Sequence, residues 1–333
     1  MAKGTRGPSM HDVAARAGVS HQTVSRVLND FDGIRPATRE RVQAAIAELG
    51  YRPNMSARTL ATGRSEAVGV LAPETPNYGP LSTLYAIQRA CRAQRLHAVV
   101  TSSSHDDADV ADALDFLIGR SVDALVVIAQ RPGTVQLVEA LVKDLPVAYV
   151  MTGHPVAHRS VSADQALGTR MVLDHLYELG HRHFQYVAGP LDFTEAAHRY
   201  AAFADFVQGH GLVRYELLQG DWSAGAGYVA GQRVDPRATA VVCANDQMAQ
   251  GLIHALEGRG VHVPDDVSVT GFDDIPESAY FRPALTTVHQ DFVGVGERAI
   301  EMLIARMRGE QAVEPDPLPP VLVVRQSTKP PRS

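Results

Sequence analysis

The sequence predicts an N-terminal all-α head followed by a larger α/β body that contains two doubly wound parallel-sheet subdomains. Three observations lead to this fold class. Short amphipathic segments with helical spacing occupy the chain up to Tyr51. From Ala67 onward, short apolar runs alternate with helical patterns in two successive series, as in βαβ units. The length of 333 residues is too great for one hydrophobic core and favours several domains.

Charge is distributed unevenly along the chain. Residues 1–65 contain ten lysines and arginines against five acids, whereas the rest of the chain contains 21 basic and 32 acidic residues. The head therefore carries a formal charge of +5 and the body −11. This division predicts that the head binds a polyanion while the acidic body does not.

The composition excludes several protein classes. With 45% apolar and 20% charged residues, the chain is typical of a folded globular protein. The N-terminus lacks the apolar region of a signal peptide, and no stretch of about 18 apolar residues occurs, so we expect a cytoplasmic protein without a membrane partner. Two cysteines, Cys91 and Cys243, cannot build a disulfide framework.

The first two helical segments are separated by a glycine. Before Gly18, apolar residues recur with helical spacing at Met10, Val13, Ala14 and Ala17. Ser20 is suited to cap a second helix, whose inner face consists of Val24, Val27 and Leu28. Two short helices joined by a tight glycine turn form a helix-turn-helix.

The second helix presents polar side chains on its outer face, namely His21, Gln22, Ser25 and Arg26. Arginine pairs with guanine O6 and N7, and glutamine pairs with adenine N6 and N7. On a lone helix such a face is more often merely solvated. Here a third amphipathic helix follows Pro36, with Val42, Ala45, Ile46 and Leu49 pointing inward. Three helices in a basic segment are typical of a DNA-reading head.

The body contains two series of predicted strands and helices. The first series has the strands AVGVLAP, HAVVTSSS, DALVVIAQ and PVAYVM, with helices near 81–95, 107–119 and 133–143. The second has HFQYVAGP, YELLQGDW, TAVVCAND and VSVTGFDD, with helices near 166–179, 195–209, 224–233 and 246–258. Ligands of such sheets bind beyond the carboxyl ends of the strands, so two sets of strand ends predict one shared cleft.

Residues at or just beyond the predicted strand ends are Pro73, Met151, Asp192, Trp222, Asn245, Asp246 and Asp273. Carboxylates and amides satisfy hydroxyl groups, and an indole covers the apolar face of a sugar ring. This mixture predicts a sugar or glycoside ligand. Each residue also has a plainer interpretation, since Asn245 or Asp246 could cap a helix and Asp273 could be a turn residue.

Enzyme chemistry is not supported by the sequence. The carboxylate pairs are adjacent in sequence, as solvated turn residues usually are, and no G-x-S-x-G, H-E-x-x-H or phosphate-loop pattern occurs. His181 and His183 lack a nearby third metal ligand. We therefore predict no catalytic residues, no metal site and no cofactor.

Two long motifs and five shorter ones give the chain a family resemblance. HDVAARAGVSHQTVSRVLN and TRERVQAAIAELGYRPN, followed by LGHRHFQYVAGP, GDWSA, CANDQMAQG, VSVTGFDD and LTTVHQDF, resemble the lactose-repressor (LacI/GalR) family of bacterial transcription factors. The resemblance covers nearly the whole chain, and the motifs follow the family's order and spacing. The resemblance implies a body of periplasmic-binding-protein type, in which the chain crosses between subdomains near Asp164, Asp291 and Val321.

The resemblance also implies domain boundaries. Residues 1–52 would form the DNA-binding domain, 53–65 the hinge helix or linker, and 66–333 the effector-binding and dimerisation domain. Within the body, the N-subdomain would comprise about 66–163 and 292–320, and the C-subdomain about 164–291 and 321–330. The hinge segment YRPNMSARTLATGRS is too short for a stable isolated helix. In the family it folds on DNA and inserts a leucine into the minor groove, and Leu60 occupies the matching place; the alternative is a plain linker with Leu60 packed on the body.

By resemblance, Arg199, Asn245 and Asp273 match residues that hold ligand hydroxyls. Trp222 and Phe292 match the apolar wall of the galactoside-responsive members. The lactose-responsive member has hydroxyl partners at the places of Pro73 and Met151, so this chain departs from its pattern. The ligand is then expected to be a different glycoside or an oligosaccharide, contacted in part by Glu74, Asn77, Tyr78 or Asp192.

We therefore expect a sugar-responsive repressor of carbohydrate-utilisation genes that binds a palindromic double-stranded operator as a homodimer. A coiled-coil tetramer is not expected, because the sequence shows no terminal heptad segment. Base contacts are predicted at His21, Gln22 and Arg26, and phosphate contacts at Ser9, Ser20, Thr23, Asn29, Tyr51 and Asn54; Ser25 and Arg58 are further DNA-binding candidates. The alternatives are that the ligand acts as corepressor, or that the chain is a sugar-binding protein without a DNA function.

Overall fold

The computed structural model describes residues 7–28, 31–52, 63–151, 159–310 and 316–332. The chain divides into two compact units, residues 1–65 and 66–333, which we call the head and the body. The helices of the head are α1 (Met10–Ala17), α2 (His21–Leu28) and α3 (Pro36–Leu49).

The ends of the two short helices are closed by local hydrogen bonds. The Ser9 hydroxyl accepts from the Asp12 amide at 3.3 Å, and the Asp12 carboxylate accepts from the Ser9 amide at 2.7 Å. Gly18 ends α1 with a φ of +64°, a left-handed conformation that glycine adopts without strain. The Ser20 hydroxyl then accepts from the Thr23 amide at 3.1 Å. Together these contacts fix the turn between α1 and α2.

The head has its own small hydrophobic core. Val13, Val24 and Val42, one from each helix, are fully buried, and Tyr51 closes the cluster with 8% of its surface exposed. At the surface, an Arg16–Glu48 ion pair of 2.6 Å connects α1 with α3. The predicted helix-turn-helix with a third helix is confirmed.

The first sheet of the body is parallel throughout, with strand order β2-β1-β3-β4-β5. Its strands are β1 (Ala67–Pro73), β2 (His97–Ser103), β3 (Ala124–Ile128), β4 (Val147–Val150) and β5 (Ser160–Val161). Helices α4 (Tyr78–Ala93), α5 (Asp107–Gly119), α6 (Pro132–Leu141) and α11 (Phe292–Met307) cover it. Every residue of β3 is buried, as a central strand covered on both faces requires. We call this half the first lobe.

The second lobe is built around another parallel sheet of order β10-β9-β6-β7, with β8 also paired to β6. Its strands are β6 (His183–Ala188), β7 (Val213–Arg214), β8 (Leu218–Gln219), β9 (Ala240–Cys243) and β10 (Ser268–Thr270). Its helices are α7 (Gln165–Glu178), α8 (Thr194–Gly209), α9 (Ala224–Gly231) and α10 (Asp246–Gly258). A 3-10 helix (Pro276–Tyr280) and an antiparallel pair, β11 (Thr287–His289) with β12 (Val321–Val323), complete it.

The described chain passes between the lobes at three places. After β5, α7 packs its Leu173 and Leu176 into the core of the second lobe. After β11, α11 returns Val295 and Leu303 to the core of the first lobe. The third passage lies between Leu318, which packs with the first lobe, and β12. These crossings place the carboxyl ends of both sheets around one cleft. The predicted α/β body with two doubly wound sheets is confirmed.

Several elements differ from the sequence prediction. Within the strand predicted along YELLQGDW, only Leu218–Gln219 (β8) is extended and paired. The neighbouring β7 lies before this segment, and β7 and β8 each pair with a different two-residue part of β6. The short strands β5, β7, β11 and β12 were not predicted. Helix α4 begins at Tyr78 rather than at 81. It can include Pro80 because this residue lies in the first turn, where the backbone N–H groups have no partner within the helix.

Helices α9 and α10 pack backbone to backbone, and this contact positions the residues just before each helix. A Cβ atom on Gly227 would lie 2.1 Å from the carbonyl oxygen of Met248. A Cβ atom on Gly251 would lie 1.8 Å from the carbonyl oxygen of Ala224. Neither contact is possible without moving one helix, so glycine is required at both positions.

We expect Gly251→Ala to lower the free energy of unfolding by about 1–3 kcal/mol, because the added methyl group overpacks a backbone contact. Gly258→Ala on the same helix is the matched control, since nothing lies within 4 Å of its added Cβ. The control is expected to be neutral or slightly stabilising. Urea unfolding followed by circular dichroism measures both, and equal stability of the two variants would contradict the close packing.

Candidate functional site

Helix α2 separates its apolar and polar residues onto opposite faces. Val24 and Val27 are buried, whereas His21, Gln22 and Arg26 are exposed. Thr23 and Ser25 lie half-buried at the border of the two faces. The structure therefore brings the three predicted base-reading side chains together on one surface.

Neighbouring aromatic rings border two of these side chains. The Arg26 guanidinium lies 5.4 Å from the ring centroid of Phe31, within the range of a cation–π contact. The His21 ring lies 5.3 Å from that of His11 on α1. The Ser20 and Thr23 hydroxyls are 2.9 Å apart at the start of α2. Contacts within the head therefore position side chains on the exposed face of α2.

The other DNA-binding candidates are placed less uniformly. Ser9 is half-buried, and its hydroxyl donates to the Asp12 carboxylate at 2.6 Å as part of the α1 cap. Tyr51 packs in the core of the head and is buried. Asn29, Asn54, Arg58 and Leu60 lie outside the described residues.

The cleft between the lobes is the second candidate site. Both lobes contribute to its lining, which comprises Asn77, Gly79, Pro80, Gln130, Met151, Glu195, Arg199, Trp222, Asn245, Asp273, Gln290 and Phe292. Six of the predicted effector-binding residues are therefore brought together, namely Met151, Arg199, Trp222, Asn245, Asp273 and Phe292.

The remaining three predicted effector-binding residues lie outside this lining. Pro73 ends β1 opposite Ser103. Tyr78 contacts the Phe292 ring edge-on, with centroids 5.8 Å apart, and borders a separate surface groove. Asp192 is exposed and forms an ion pair of 2.8 Å with Arg131 of the first lobe. Its carboxylate is engaged in a contact between the lobes, and a ligand contact at Asp192 stays a prediction.

Arg199 is the centre of the polar network in the cleft. Its side chain is 3% exposed, and its Nε donates to Gln165 Oε1 at 2.7 Å. Nη1 donates to the carbonyl oxygen of Ala244, and Nη2 lies 3.6 Å from Asp273 and 3.8 Å from Glu195. Nε and Nη1 therefore donate to protein acceptors, whereas Nη2 faces two carboxylates from beyond hydrogen-bond distance.

Two glutamines extend this network to the chain crossings. Gln165 begins α7 directly after the first crossing, and its Nε2 donates to Gln290 Oε1 at 2.8 Å and to Glu195 Oε1 at 3.1 Å. Gln290 lies at the second crossing, and its Nε2 donates to Asp273 Oδ1 at 2.7 Å. The groups that line the cleft are therefore connected to the segments that join the lobes.

Burial changes the protonation of both carboxylates. Desolvation raises the pKa of Glu195 from its ordinary 4.5 to about 7, with Arg199 opposing and Asp273 reinforcing the shift. Desolvation likewise raises the pKa of Asp273 to about 6, against the lowering effects of Arg199 and the Gln290 hydrogen bond. One arginine does not compensate two buried carboxylates, so the cleft retains protons near neutral pH.

Three lining residues have left-handed backbone conformations. The φ angles are +60° for Met151, +77° for Trp222 and +108° for Asp273. Such conformations are rare for residues with a side chain, and they are found preferentially at ligand sites. Asp273 is thus both a turn residue and a lining residue. Similarly, Asn245 caps α10 by accepting from the Met248 amide at 2.9 Å while it lines the cleft.

Two buried polar atoms in the cleft have no hydrogen-bond partner, the Nε1 of Trp222 and the Oε1 of Gln130. Both residues are 9% exposed, and they belong to opposite lobes. A buried polar group without a partner costs free energy. A ligand hydroxyl can accept from an indole N–H and donate to an amide oxygen, so these atoms suit a hydroxylated ligand.

Sequence reasoning missed five lining residues, namely Gly79, Pro80, Gln130, Glu195 and Gln290. Some of them carried a usable pattern. Gln130 follows the apolar run of β3 directly, as ligand-binding residues do in parallel sheets. Glu195 precedes Arg199 by one helical turn and therefore shares its face of α8. For Gly79 and Pro80 no sequence pattern pointed to the cleft.

Metal and membrane chemistry find no support in the described part of the chain. No group of three or more His, Cys, Asp or Glu side chains there could hold a metal ion. His181 instead contacts the Thr239 and Ser268 hydroxyls at 3.0 and 3.1 Å. Over the same residues, no helix has both the length and the apolar character needed to cross a bilayer. Cys91 and Cys243 are buried free thiols.

Glu195→Gln should change how stability depends on pH. Because the pKa of Glu195 is raised in the folded protein, the wild type binds this proton more tightly than the unfolded chain does, and its stability falls as the pH rises from about 4.5 to about 7. The variant lacks this loss, so we expect its stability relative to the wild type to be greater at pH 7.5 than at pH 5. Chemical unfolding at both pH values measures the difference, and an unchanged difference would contradict the raised pKa.

Comparisons with known proteins match both the head and the body. The family described as "Bacterial regulatory proteins, lacI family" matches residues 9–54, and the family described as "Periplasmic binding protein-like domain" matches residues 173–328. The lactose operon repressor of Escherichia coli (strain K12) is 33% identical over 329 residues, which cover 96% of this chain and 90% of that repressor. The HTH-type transcriptional repressor PurR of Erwinia tasmaniensis is 33% identical over 337 residues, with 96% of each chain covered.

Solved structures give the same result. A lac repressor dimer bound to operator and the anti-inducer ONPF matches with a TM-score of 0.88 and 31% identity, covering 97% of this chain and all of that one. A complex of the transcriptional regulator CelR with cellobiose matches with a TM-score of 0.71 and 28% identity, covering 96% and 99%. These relatives are regulators rather than enzymes. The chain belongs to the lacI family of bacterial regulatory proteins.

Proposed function

We propose that this protein is a transcriptional repressor that binds a palindromic operator as a homodimer. Its affinity for the operator changes when a sugar or glycoside occupies the cleft. The observation that carries the proposal is the exposed polar face of α2, where His21, Gln22 and Arg26 stand on a buried apolar base. Such a helix fits the major groove. The polar cleft in the body supplies the site for the effector.

One recognition helix offers too little contact for operator-level affinity, which supports the homodimer. In the lac repressor structure, a dimer is bound to operator. We assign residues 1–52 to DNA reading, 53–65 to the hinge, and 66–333 to effector binding and dimerisation, with subdomains of about 66–163 plus 292–320 and 164–291 plus 321–330. Leu60 is assigned as the minor-groove wedge, because a kinked duplex allows further protein contacts.

The ligand class is proposed from the groups in the cleft. Carboxylates and amides accept from and donate to hydroxyl groups, and Trp222 and Phe292 offer apolar surface to a sugar ring. The relative CelR was solved with cellobiose. Met151 places a thioether where the lactose-responsive member of the family has a partner for a ligand hydroxyl. This difference favours a glycoside other than lactose.

Arg26→Ala and Arg26→Lys separate base reading from charge. We expect both variants to lose about 1–3 kcal/mol of operator affinity, because neither keeps the bidentate pairing with guanine. Arg26→Lys should retain its affinity for random duplex DNA, whereas Arg26→Ala should lose part of it. Fluorescence anisotropy with operator and scrambled duplexes at one salt concentration measures this. Equal losses on both duplexes for Arg26→Lys would contradict base reading.

The effector response is tested by operator affinity with and without a panel of mono- and disaccharides. Ligand preselection by thermal shift limits the panel to sugars that bind the folded protein. We expect a change in operator affinity of about 5- to 150-fold, equivalent to a coupling of about 1–3 kcal/mol. A decrease identifies an inducer and an increase identifies a corepressor. Binding of a sugar in the cleft without any change in operator affinity would contradict the repressor mechanism.

A further inference from the structure

The cleft contains several buried hydrogen-bond acceptors. Glu195 and Asp273 each supply a carboxylate, and their side chains are only 12% and 10% exposed. Gln130 adds a buried carbonyl oxygen without a partner. The Trp222 indole N–H is a buried donor without a partner. A ligand that satisfies these acceptors must bring donors of its own.

Arg199 faces the two carboxylates with a single positive charge. Its Nε and Nη1 donate to Gln165 and to the Ala244 carbonyl oxygen, and its Nη2 faces both carboxylates. An anion that approached Nη2 would have to compete with both of these carboxylates. With both carboxylates ionised, Arg199, Glu195 and Asp273 together carry a charge of −1.

Resting on the proposed sugar-responsive function, we propose that Glu195 is a specificity-determining residue that restricts the cleft to uncharged or cationic sugars and excludes phosphorylated sugars and sugar acids. An ionised carboxylate or phosphate group only accepts hydrogen bonds, so it satisfies none of the acceptors that line the cleft. Its charge would also meet two carboxylates in a largely desolvated space, where like charges repel strongly.

Glu195 supplies one of the two carboxylate charges that face Arg199. Without Glu195, Arg199 and Asp273 would form a balanced pair with no net charge, and an anion would meet no excess of negative charge. The raised pKa values of Glu195 and Asp273 agree with this role, because they show that the charge already present is costly. Arg131, which adjoins Gln130 in sequence, lies outside the lining and is paired with Asp192 at 2.8 Å.

The chain supplies its own reporter for the test. Trp222 is the single tryptophan of the sequence and lies in the cleft, so intrinsic fluorescence reports on this site. The full-length protein is titrated with galactose, glucose, lactose and cellobiose, each beside its 6-phosphate, and with galacturonate and galactosamine. In the wild type, we expect at least one neutral sugar to bind, and its phosphorylated or acidic counterpart to bind about tenfold more weakly or worse, which corresponds to about 1.4 kcal/mol.

Glu195→Gln keeps the size of the side chain and removes its charge. The ratio of the dissociation constant of the anionic sugar to that of its neutral parent should therefore fall severalfold. Asp205→Asn removes a carboxylate from an exposed position of the same helix and should leave the ratio unchanged. Circular dichroism verifies that both variants are folded.

A second arm tests the wild type without substitution. Protonation of Glu195 imitates the glutamine variant, so discrimination between galactose and galacturonate should weaken from pH 8 to pH 5.5, over which galacturonate keeps its charge. The charged groups that face Glu195 are Arg199 on its own helix and Asp273 after β10; Asp246, at the start of α10, faces Asp273. Asp273 also gains protons over this range, which changes the ratio in the same direction.

Three results would overturn the proposal. The first is a sugar phosphate or sugar acid that binds the wild type as tightly as its neutral parent. The second is an unchanged affinity ratio between neutral and anionic sugars in Glu195→Gln. The third is a cleft that binds no sugar at all. The last result would also remove the proposed effector class, whereas operator binding, measured separately, would still test DNA reading. Failure of charge selection alone would leave the repressor function standing.

Discussion

The buried guanidinium of Arg199 is the interaction on which the ligand cleft depends. It is held by Gln165 at the first crossing between the lobes, and Gln165 is hydrogen-bonded to Gln290 at the second. Gln290 in turn holds Asp273, which lines the cleft. A buried polar network is stable only when its members stay paired, so a ligand that rearranges one member affects the segments that join the lobes. This connection gives a physical route from an occupied cleft to a change between the lobes.

Contacts across the mouth of the cleft add to this connection. The Thr194 amide of the second lobe donates to the Gln130 carbonyl oxygen of the first lobe at 2.9 Å. Arg131 pairs with Asp192, and its guanidinium lies 4.8 Å from the Phe193 ring centroid. The lobes are thus joined by contacts beside the polar network as well as by the chain crossings. An effector that binds between them competes with or reinforces these contacts, and such differential binding is what shifts a conformational equilibrium.

Asp246 shows how the second lobe keeps its part of the cleft rigid. Its carboxylate accepts from the Ile275 amide at 2.8 Å and from the Ser278 and Thr287 hydroxyls. Burial and the nearby Asp273 raise its pKa to about 7 despite these three donors. The carboxylate therefore ties the start of α10 to the 3-10 helix and to β11, close to the turn that presents Asp273. A rigid support of this kind preorganises the side chains that meet the ligand.

Much of this protein follows from local patterns in its sequence. Helical spacing in α1, α2 and α3, glycine at the turn, and apolar runs in β1, β3 and β9 reflect short-range steric and solvation effects, which operate wherever those residues occur. Strand ends likewise predicted Trp222, Asn245 and Asp273, because parallel strands collect their carboxyl ends at one edge. Short edge strands such as β7 and β11 depend on partners distant in the sequence, so no local pattern marked them. Only the tertiary structure showed that Asp192 is engaged by Arg131 and that Glu195 joins Arg199 and Asp273, since the charge of a site depends on which side chains meet in space.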